Sequence, residues 1–185
     1  MLETLLHYDQ QVFYYINRTL ANKPLDIIIP LINNEKIWLI PAVVLVATVL
    51  VRGGKKARMV FLGVLIAVLA TDFICFRLLK PAIGRKRPSH ALADARVLEG
   101  RRSTMGFPSN HAANVAAAAT FLAYYYRRLV IPGVVIAAAV AFARVYAGVH
   151  YPLDVVCGAA IGAAVSLLLI WIKHKVRPAA GETVH

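Results

Sequence analysis

Three separate stretches of the sequence carry residues that can bind and transfer a phosphoryl group. The first stretch supplies fixed cations, the second a serine and a histidine, and the third an arginine, a histidine and a carboxylate. Phosphoryl transfer without a metal needs cations for the phosphate oxygens, a nucleophile, and a proton donor for the leaving group. The candidate residues for these tasks are Lys80, Arg87, Ser109, Asn110, His111, Arg144, His150 and Asp154.

The third stretch supplies the candidate nucleophile. His150 and Asp154 lie four residues apart, which places both on one helical face, and Pro152 suits the first turn of that helix. The carboxylate then holds one imidazole nitrogen as a donor and leaves the other free to attack phosphorus. Taken alone, the spacing is more typical of an interfacial histidine beside a capping acid. Arg144 and the other two stretches favour catalysis.

The second stretch opens a predicted helix. Ser109 has the position of an N-cap, which leaves backbone N–H groups and the positive end of the helix dipole for an anion. His111, in the first turn, is the candidate proton donor for the leaving group. A solvated histidine behind an ordinary cap would give the same local pattern.

The first stretch is basic. Lys80 supplies a point charge and Arg87 a planar fork of donors for phosphate oxygens. The adjacent Arg85 and Lys86 are predicted to bind anionic lipid headgroups. Asp72, inside an apolar run, is predicted to be the structural partner of an inward-facing cation.

The composition is that of a membrane protein. Hydrophobic residues make up 59% of the chain, mean hydropathy is +0.64, and the net charge is +12. The cations lie in short segments between apolar runs, which argues against the continuous basic face of a nucleic-acid-binding protein. Cys75 and Cys157 fall inside apolar segments and predict neither a disulfide nor a nucleophile. No residues have metal-ligand spacing, so neither a metal nor a cofactor is expected.

The apolar runs predict an all-α, polytopic membrane bundle of five to six transmembrane helices. A span needs about 20 apolar residues, and five runs approach that length, at residues 37–51, 57–79, 109–126, 129–147 and 153–173. With alternating direction, all three stretches then fall at the same end of the bundle. Basic residues at the other end are typical of the cytoplasmic side, so an inner-membrane protein with its site facing the periplasm or cell exterior is expected.

The remaining segments complete a single predicted domain over residues 1–185, with the chemistry in residues 80–162. Residues 1–33 are amphipathic and predict one or two helices lying at the membrane interface, with a break near residues 22–24. Small residues recur four apart in the later runs, for example Gly158 and Gly162, and predict close helix packing.

In this order and spacing, the stretches resemble the signatures of the type 2 phosphatidic-acid phosphatase superfamily, which run K-x6-R-P, P-S-G-H and S-R-x5-H-x3-D. The resemblance implies that His150 is the nucleophile, that Asp154 orients it, and that His111 is the proton donor. It also implies a metal-independent phosphate site. The residues matching the family's phosphate ligands are Lys80, Arg87, Ser109 and Arg144.

Two positions depart from these signatures. Asn110 replaces the glycine of the second signature, and Ala143 replaces the serine before Arg144. The Asn110 side chain either obstructs the approach of the backbone to phosphate or adds an amide contact of its own. Neither position makes or breaks a bond, so we expect activity to be retained, and the fine substrate preference is what the two departures leave open.

The resemblance therefore implies an integral-membrane phosphatase that acts on a lipid phosphate or pyrophosphate. Undecaprenyl pyrophosphate is the favoured substrate because residues 144–154 look like those of bacterial polyprenyl-pyrophosphate phosphatases. Phosphatidylglycerophosphate, phosphatidic acid and the lipid A 1-phosphate are alternatives. A non-catalytic lipid-phosphate binder or transporter is the alternative from another class, although the sequence lacks a transporter's internal repeats. Membrane lipids are the expected partners, and the oligomeric state stays open.

Overall fold

The computed structural model describes residues 1–100 and 103–176, and these residues form helices and turns with no β-strand, which confirms the predicted all-α class. Two π-helical turns, Tyr15–Thr19 and Ile74–Leu79, continue directly from the helices that precede them, and the second leads directly into the next helix. The helices are α1 Leu2–Tyr14, α2 Lys23–Asn33, α3 Glu35–Arg52, α4 Lys55–Phe73, α5 Lys80–Ile83, α6 Pro88–Ala91, α7 Asn110–Tyr125, α8 Val130–Tyr146 and α9 Pro152–Val176.

Fewer helices than predicted are long and apolar enough to cross a membrane. In the described residues, three qualify, namely Lys55–Ile83, Arg127–Tyr146 and Pro152–Val176. A fourth span results if Lys23–Asn33 and Lys36–Arg52, which meet at a bend of 49°, are counted together. The difference from the predicted five to six comes partly from α7, whose 16 residues extend about 24 Å, less than the ~30 Å hydrocarbon core of a bilayer.

Small residues bring α7 and α9 into backbone contact, as the four-residue spacing predicted. A Cβ atom on Gly158 would lie 2.6 Å from the backbone oxygen of Ser109, and one on Gly162 would overlap the backbone oxygen of Ala113. One turn further on, the Ser166 hydroxyl donates to the backbone oxygen of Ala117 at 2.7 Å. The close approach fixes the start of α7 against the start of α9.

Basic and aromatic side chains gather at the far ends of α4, α7 and α9. The Lys173 ammonium donates to the Tyr125 hydroxyl at 2.8 Å, and the Lys56 ammonium lies 5.2 Å from the ring centre of Tyr126. This end of the bundle therefore carries the charge and the aromatic rings that interfacial belts show. The motif residues all lie at the opposite end.

The N-terminal segment packs over the motif end of the bundle. Asn17 donates to the backbone oxygens of Arg96 and Tyr146, at 2.9 and 2.8 Å. The predicted break is present, because Asn22 caps α2 by accepting from the N–H of Leu25 at 2.9 Å. The segment between α1 and α2 is therefore held against the loop and the helix that carry the chemistry.

Candidate active site

Helix ends bring the three predicted stretches together. Lys80 begins α5, whose last turn is closed by Gly84 at a φ of 63°. Arg87 is the N-cap of α6, and Ser109 is the N-cap of α7. His150 lies two residues before the start of α9 and is presented by a turn at Gly148, whose φ of 78° strongly favours glycine.

These ends enclose a cavity of about 320 Å³. Six of the eight predicted site residues line it, and Asp154 contacts one of them, His150, from behind. Ser109 is fully buried and does not line the cavity. The residues on the cavity wall are Asp72, Phe76, Lys80, Arg87, Ser103, Asn110, His111, Arg144 and His150.

The contacts of His150 define its two nitrogens. The guanidinium of Arg87 lies 3.1 Å from Nε2, and since a guanidinium only donates, Nε2 carries the lone pair. The proton therefore resides on Nδ1, which faces an oxygen of Asp154 at 3.5 Å. The nitrogen with the lone pair faces the cations of the cavity, as attack on phosphorus requires.

The surroundings of His150 keep its imidazole neutral. Burial lowers the pKa of His150 well below its ordinary range, and the positive charges of Arg87, Arg144 and Lys80 lower it further. Burial acts because it disfavours the charged form, and the cations act by repulsion. At neutral pH the lone pair of Nε2 is consequently available.

His111 stands beside Arg144 on the cavity wall. A guanidinium nitrogen of Arg144 lies 3.2 Å from Nδ1 of His111, so Nδ1 accepts and Nε2 carries the proton. Arg144 is itself buried and lies 3.5 Å from the carboxylate of Glu99, a residue that the motifs did not indicate. At this distance the Glu99 carboxylate attracts the guanidinium through charge.

Two predicted phosphate ligands also have structural contacts. The Lys80 ammonium donates to the backbone oxygen of Pro108 at 3.0 Å and so ties the first stretch to the second. The Ser109 hydroxyl caps α7 by accepting from the N–H of Ala112 at 3.5 Å. The backbone N–H of Ser109 donates to the backbone oxygen of Asp154, which joins the second stretch to the third.

The hydrogen-bond partners of Asp72 are amides. Its carboxylate accepts from the side-chain amides of Asn110 at 2.7 Å and Asn114 at 3.1 Å. Both hydrogen bonds go to amides because α7 places the two asparagines on the face that packs against α4. The buried cation Lys80 shares the cavity wall with Asp72 and interacts with it through charge. The Asn110 amide expected to contact phosphate points at Asp72, and its side chain still lines the cavity.

Arg85 does not face lipid headgroups, so that prediction is wrong. Its guanidinium donates to Asp154 at 2.7 Å and to Asp9 of α1, and it lies 4.1 Å from the ring centre of Tyr151. The sequence signal for Arg85 was ambiguous, since a cation beside Lys86 in a basic loop has the same pattern as a headgroup ligand. The sequence signal for Asp9 was weaker still, since an acid in an amphipathic helix does not indicate a partner in the site.

Known proteins match this chain over most of its length. The model of the PAP2 superfamily matches residues 60–178. A lipid A 4'-phosphatase of Bacteroides thetaiotaomicron is 32% identical over 186 residues, which covers 95% of this chain and 81% of that protein. An undecaprenyl-diphosphatase of Sulfolobus acidocaldarius is 34% identical over 95 residues, covering 51% of this chain and 46% of that protein.

The fold is also that of a known structure. The crystal structure of a transmembrane PAP2-type phosphatidylglycerolphosphate phosphatase from Bacillus subtilis aligns with a TM-score of 0.69. The alignment covers 95% of this chain and 89% of that chain, at 22% sequence identity.

Proposed function

The chain belongs to the PAP2 superfamily and is a membrane lipid phosphatase, and on that premise we propose that it works through a phosphohistidine at His150. The observation that carries the proposal is the cavity itself. Three cations, Lys80, Arg87 and Arg144, share its wall with two histidines. Fixed cations of this kind stabilise the equatorial oxygens of a transferring phosphoryl group.

In the first step, Nε2 of His150 attacks phosphorus and the bond between phosphorus and the lipid oxygen breaks. With phosphate bound, His111 is an imidazolium, because Nδ1 is no longer held by Arg144 and takes up a second proton. The leaving oxygen takes a proton from this imidazolium, which leaves the His111 ring neutral. Phosphate oxygens replace His150 as the partner of Arg87 and His111 as the partner of Arg144, which releases both imidazoles for the reaction. The Nδ1–H of His150 stays directed at Asp154, whose charge stabilises the positive phosphorylated ring.

In the second step, water hydrolyses the phosphohistidine. His111, which gave its proton to the lipid, accepts a proton from the attacking water. The water oxygen bonds to phosphorus, the phosphorus–nitrogen bond breaks, and its electron pair returns to Nε2. The products are inorganic phosphate, the dephosphorylated lipid and the starting form of both histidines.

For the substrate, we propose a phosphate carried on the sugar of a lipid, of the lipid A type. The likeness to the Bacteroides lipid A 4'-phosphatase extends over almost the whole chain, whereas the likeness to the undecaprenyl-diphosphatase covers half of it. The carboxylate of Asp72 also lies on the cavity wall. A carboxylate accepts hydrogen bonds from sugar hydroxyls and repels a second phosphate group.

Undecaprenyl pyrophosphate, which the third stretch favoured, is the second candidate. It is supported by the 34% identity to the undecaprenyl-diphosphatase. Either lipid fits a site that faces away from the cytoplasm. That orientation is supported by the basic residues at the far end of the bundle, including Lys56 and Lys173.

The test is phosphate release by the purified protein from lipid A and from undecaprenyl pyrophosphate, each in detergent micelles. We expect faster release from lipid A, with mass spectrometry showing loss of one phosphate. In the variant Asp72→Asn, the difference between the rates of phosphate release from the two lipids should become smaller. The substitution removes the charge that repels a pyrophosphate. Faster hydrolysis of the pyrophosphate by the wild-type protein would contradict the substrate proposal and leave the phosphatase assignment intact.

A further inference from the structure

Helix α1 contributes a carboxylate to the chain of contacts behind the nucleophile. Asp9 accepts from the guanidinium of Arg85, which donates to Asp154 at 2.7 Å through its other terminal nitrogen. Asp9 also accepts from the backbone N–H of Leu153, in the first turn of α9, at 2.8 Å. An acid from the N-terminal segment is thus attached both to the partner of Asp154 and to the helix that carries it.

The three charged groups are almost closed to solvent. The side chains of Asp9 and Asp154 are 1% and 0% exposed, and that of Arg85 is 19% exposed. The face of the guanidinium rests on the ring of Tyr151, 4.1 Å from its centre. A partly buried guanidinium with two carboxylate partners and a stacked ring has little freedom to turn.

Each oxygen of Asp154 therefore has a fixed direction. One oxygen accepts from Arg85, while the other accepts from the backbone N–H of Tyr151 at 2.9 Å and faces His150. Without Arg85, the carboxylate would be held on one side only and could rotate away from the imidazole.

Asp9 also sets the charge that His150 meets. If Arg85 were paired with Asp154 alone, its positive charge would cancel that of the carboxylate. With Asp9 as a second partner, two carboxylates share one guanidinium, and a net negative charge remains beside the imidazole. That charge is the one needed to stabilise His150 when it becomes positive on phosphorylation.

We propose that Arg85 and Asp9 are positioning residues for the phosphatase reaction, which act through Asp154 on His150. Helix α1 thereby becomes a working part of the active site. The proposal rests on the proposed roles of His150 and Asp154.

The test is a double-mutant cycle on Asp9 and Asp154. Phosphate release is measured from lipid A in detergent micelles, or from undecaprenyl pyrophosphate if that is the lipid hydrolysed. We expect Asp9→Asn to lower kcat by about tenfold and to change KM by less than about twofold, since the reaction step is affected more than binding. In an Asp154→Asn background the same change should have little further effect, because residues that act as a unit are not additive.

A matched control breaks a different attachment of the N-terminal segment. Arg18 pairs with Asp94 of the loop at 2.7 Å, and both side chains are about half exposed, at 52% and 53%. Arg18→Gln should leave kcat unchanged. Arg85→Lys keeps the positive charge but loses the planar fork of donors, so it should lower kcat. This loss should be present even if thermal unfolding shows that the variant is as stable as the wild-type protein.

The outcomes separate three cases. Wild-type kcat in Asp9→Asn or in Arg85→Lys would overturn the positioning proposal. An equal loss from Asp9→Asn in both backgrounds would also overturn it, since a merely structural role predicts that result. Wild-type kcat in Asp154→Asn alone would instead contradict the proposed role of Asp154.

Discussion

Replacing the carboxylate of Asp154 by an amide puts a donor where the structure needs an acceptor. One oxygen accepts from Arg85 at 2.7 Å, and the other accepts from the N–H of Tyr151 at 2.9 Å and faces Nδ1 of His150 at 3.5 Å. An asparagine has one oxygen and one NH2 group. In either orientation, Asp154→Asn therefore sets a donor against a donor, towards Arg85 or towards the imidazole.

The expected loss follows from these contacts. A hydrogen bond to a charged group contributes about 1.5–3 kcal/mol, and each ~1.4 kcal/mol is a tenfold change in rate. Losing one such hydrogen bond of the Asp154 carboxylate in the transition state would lower kcat by roughly 10- to 150-fold. The same substitution in a serine-protease triad lowers kcat by about 10⁴. We therefore expect a kcat about 10²- to 10⁴-fold below wild type, with KM changed by less than about threefold.

The assay is steady-state release of phosphate from lipid A in detergent micelles. Asp94→Asn is the matched control, because it neutralises an exposed carboxylate that pairs with Arg18 outside the cavity. The control should keep the wild-type kcat. An Asp154→Asn protein with kcat within about threefold of wild type, or with its whole loss in KM, would refute the assigned role.

Three further predictions concern metal, orientation and pH. EDTA should leave phosphate release unchanged, because fixed cations do the work of a metal; loss in EDTA with recovery in Mg²⁺ or Zn²⁺ would reveal an ion site. In a cysteine-free background, a cysteine at Ala93 should react with a membrane-impermeant thiol reagent added outside, and one at Gly54 should not; the reverse pattern would place the site in the cytoplasm. Arg87→Gln should move the acidic limb of the kcat/KM profile to higher pH. It removes a charge that lowers the pKa of His150, so the neutral imidazole is lost by protonation at a higher pH. An unmoved limb would show that another group sets it.

Six of the nine residues named on the cavity wall were predicted from the sequence, because each of these six lies in a short motif near a helix end. His150 and Asp154 lie four residues apart at the start of α9, and Lys80 and Arg87 bracket one short connection. Their roles in the reaction remain predictions. Residues brought together by tertiary packing were not readable in this way.

Arg85 and Asp9 show why. They are 76 residues apart, and only the docking of α1 onto the motif loop makes them partners. In the sequence, Arg85 is one cation among several beside a membrane. The partners of Asp72 were missed for a related reason. The sequence shows an acid whose burial in an apolar run costs free energy, but it does not show which face of α7 that acid contacts.

Helix α7 is shorter than the apolar run from which a span was predicted, because hydropathy does not show where a helix begins. The run at 109–126 looks long enough to cross, but its helix starts at Asn110, ends at Tyr125 and packs through its small residues against α9. Much of its apolar surface therefore meets protein. Composition alone does not separate such a helix from one that faces lipid.

The central claim is tested most directly by trapping phosphate on His150. Lipid A carrying radiolabelled phosphate is mixed rapidly with the protein and quenched in alkaline detergent, in which a phosphohistidine survives, and the labelled peptide is identified by mass spectrometry. We expect label on His150 in wild-type protein and in His174→Ala, whose histidine contacts Tyr124 at the far end of the bundle. We expect neither label nor phosphate release in His150→Ala. Turnover by His150→Ala near the wild-type rate, or label on another residue, would contradict the account.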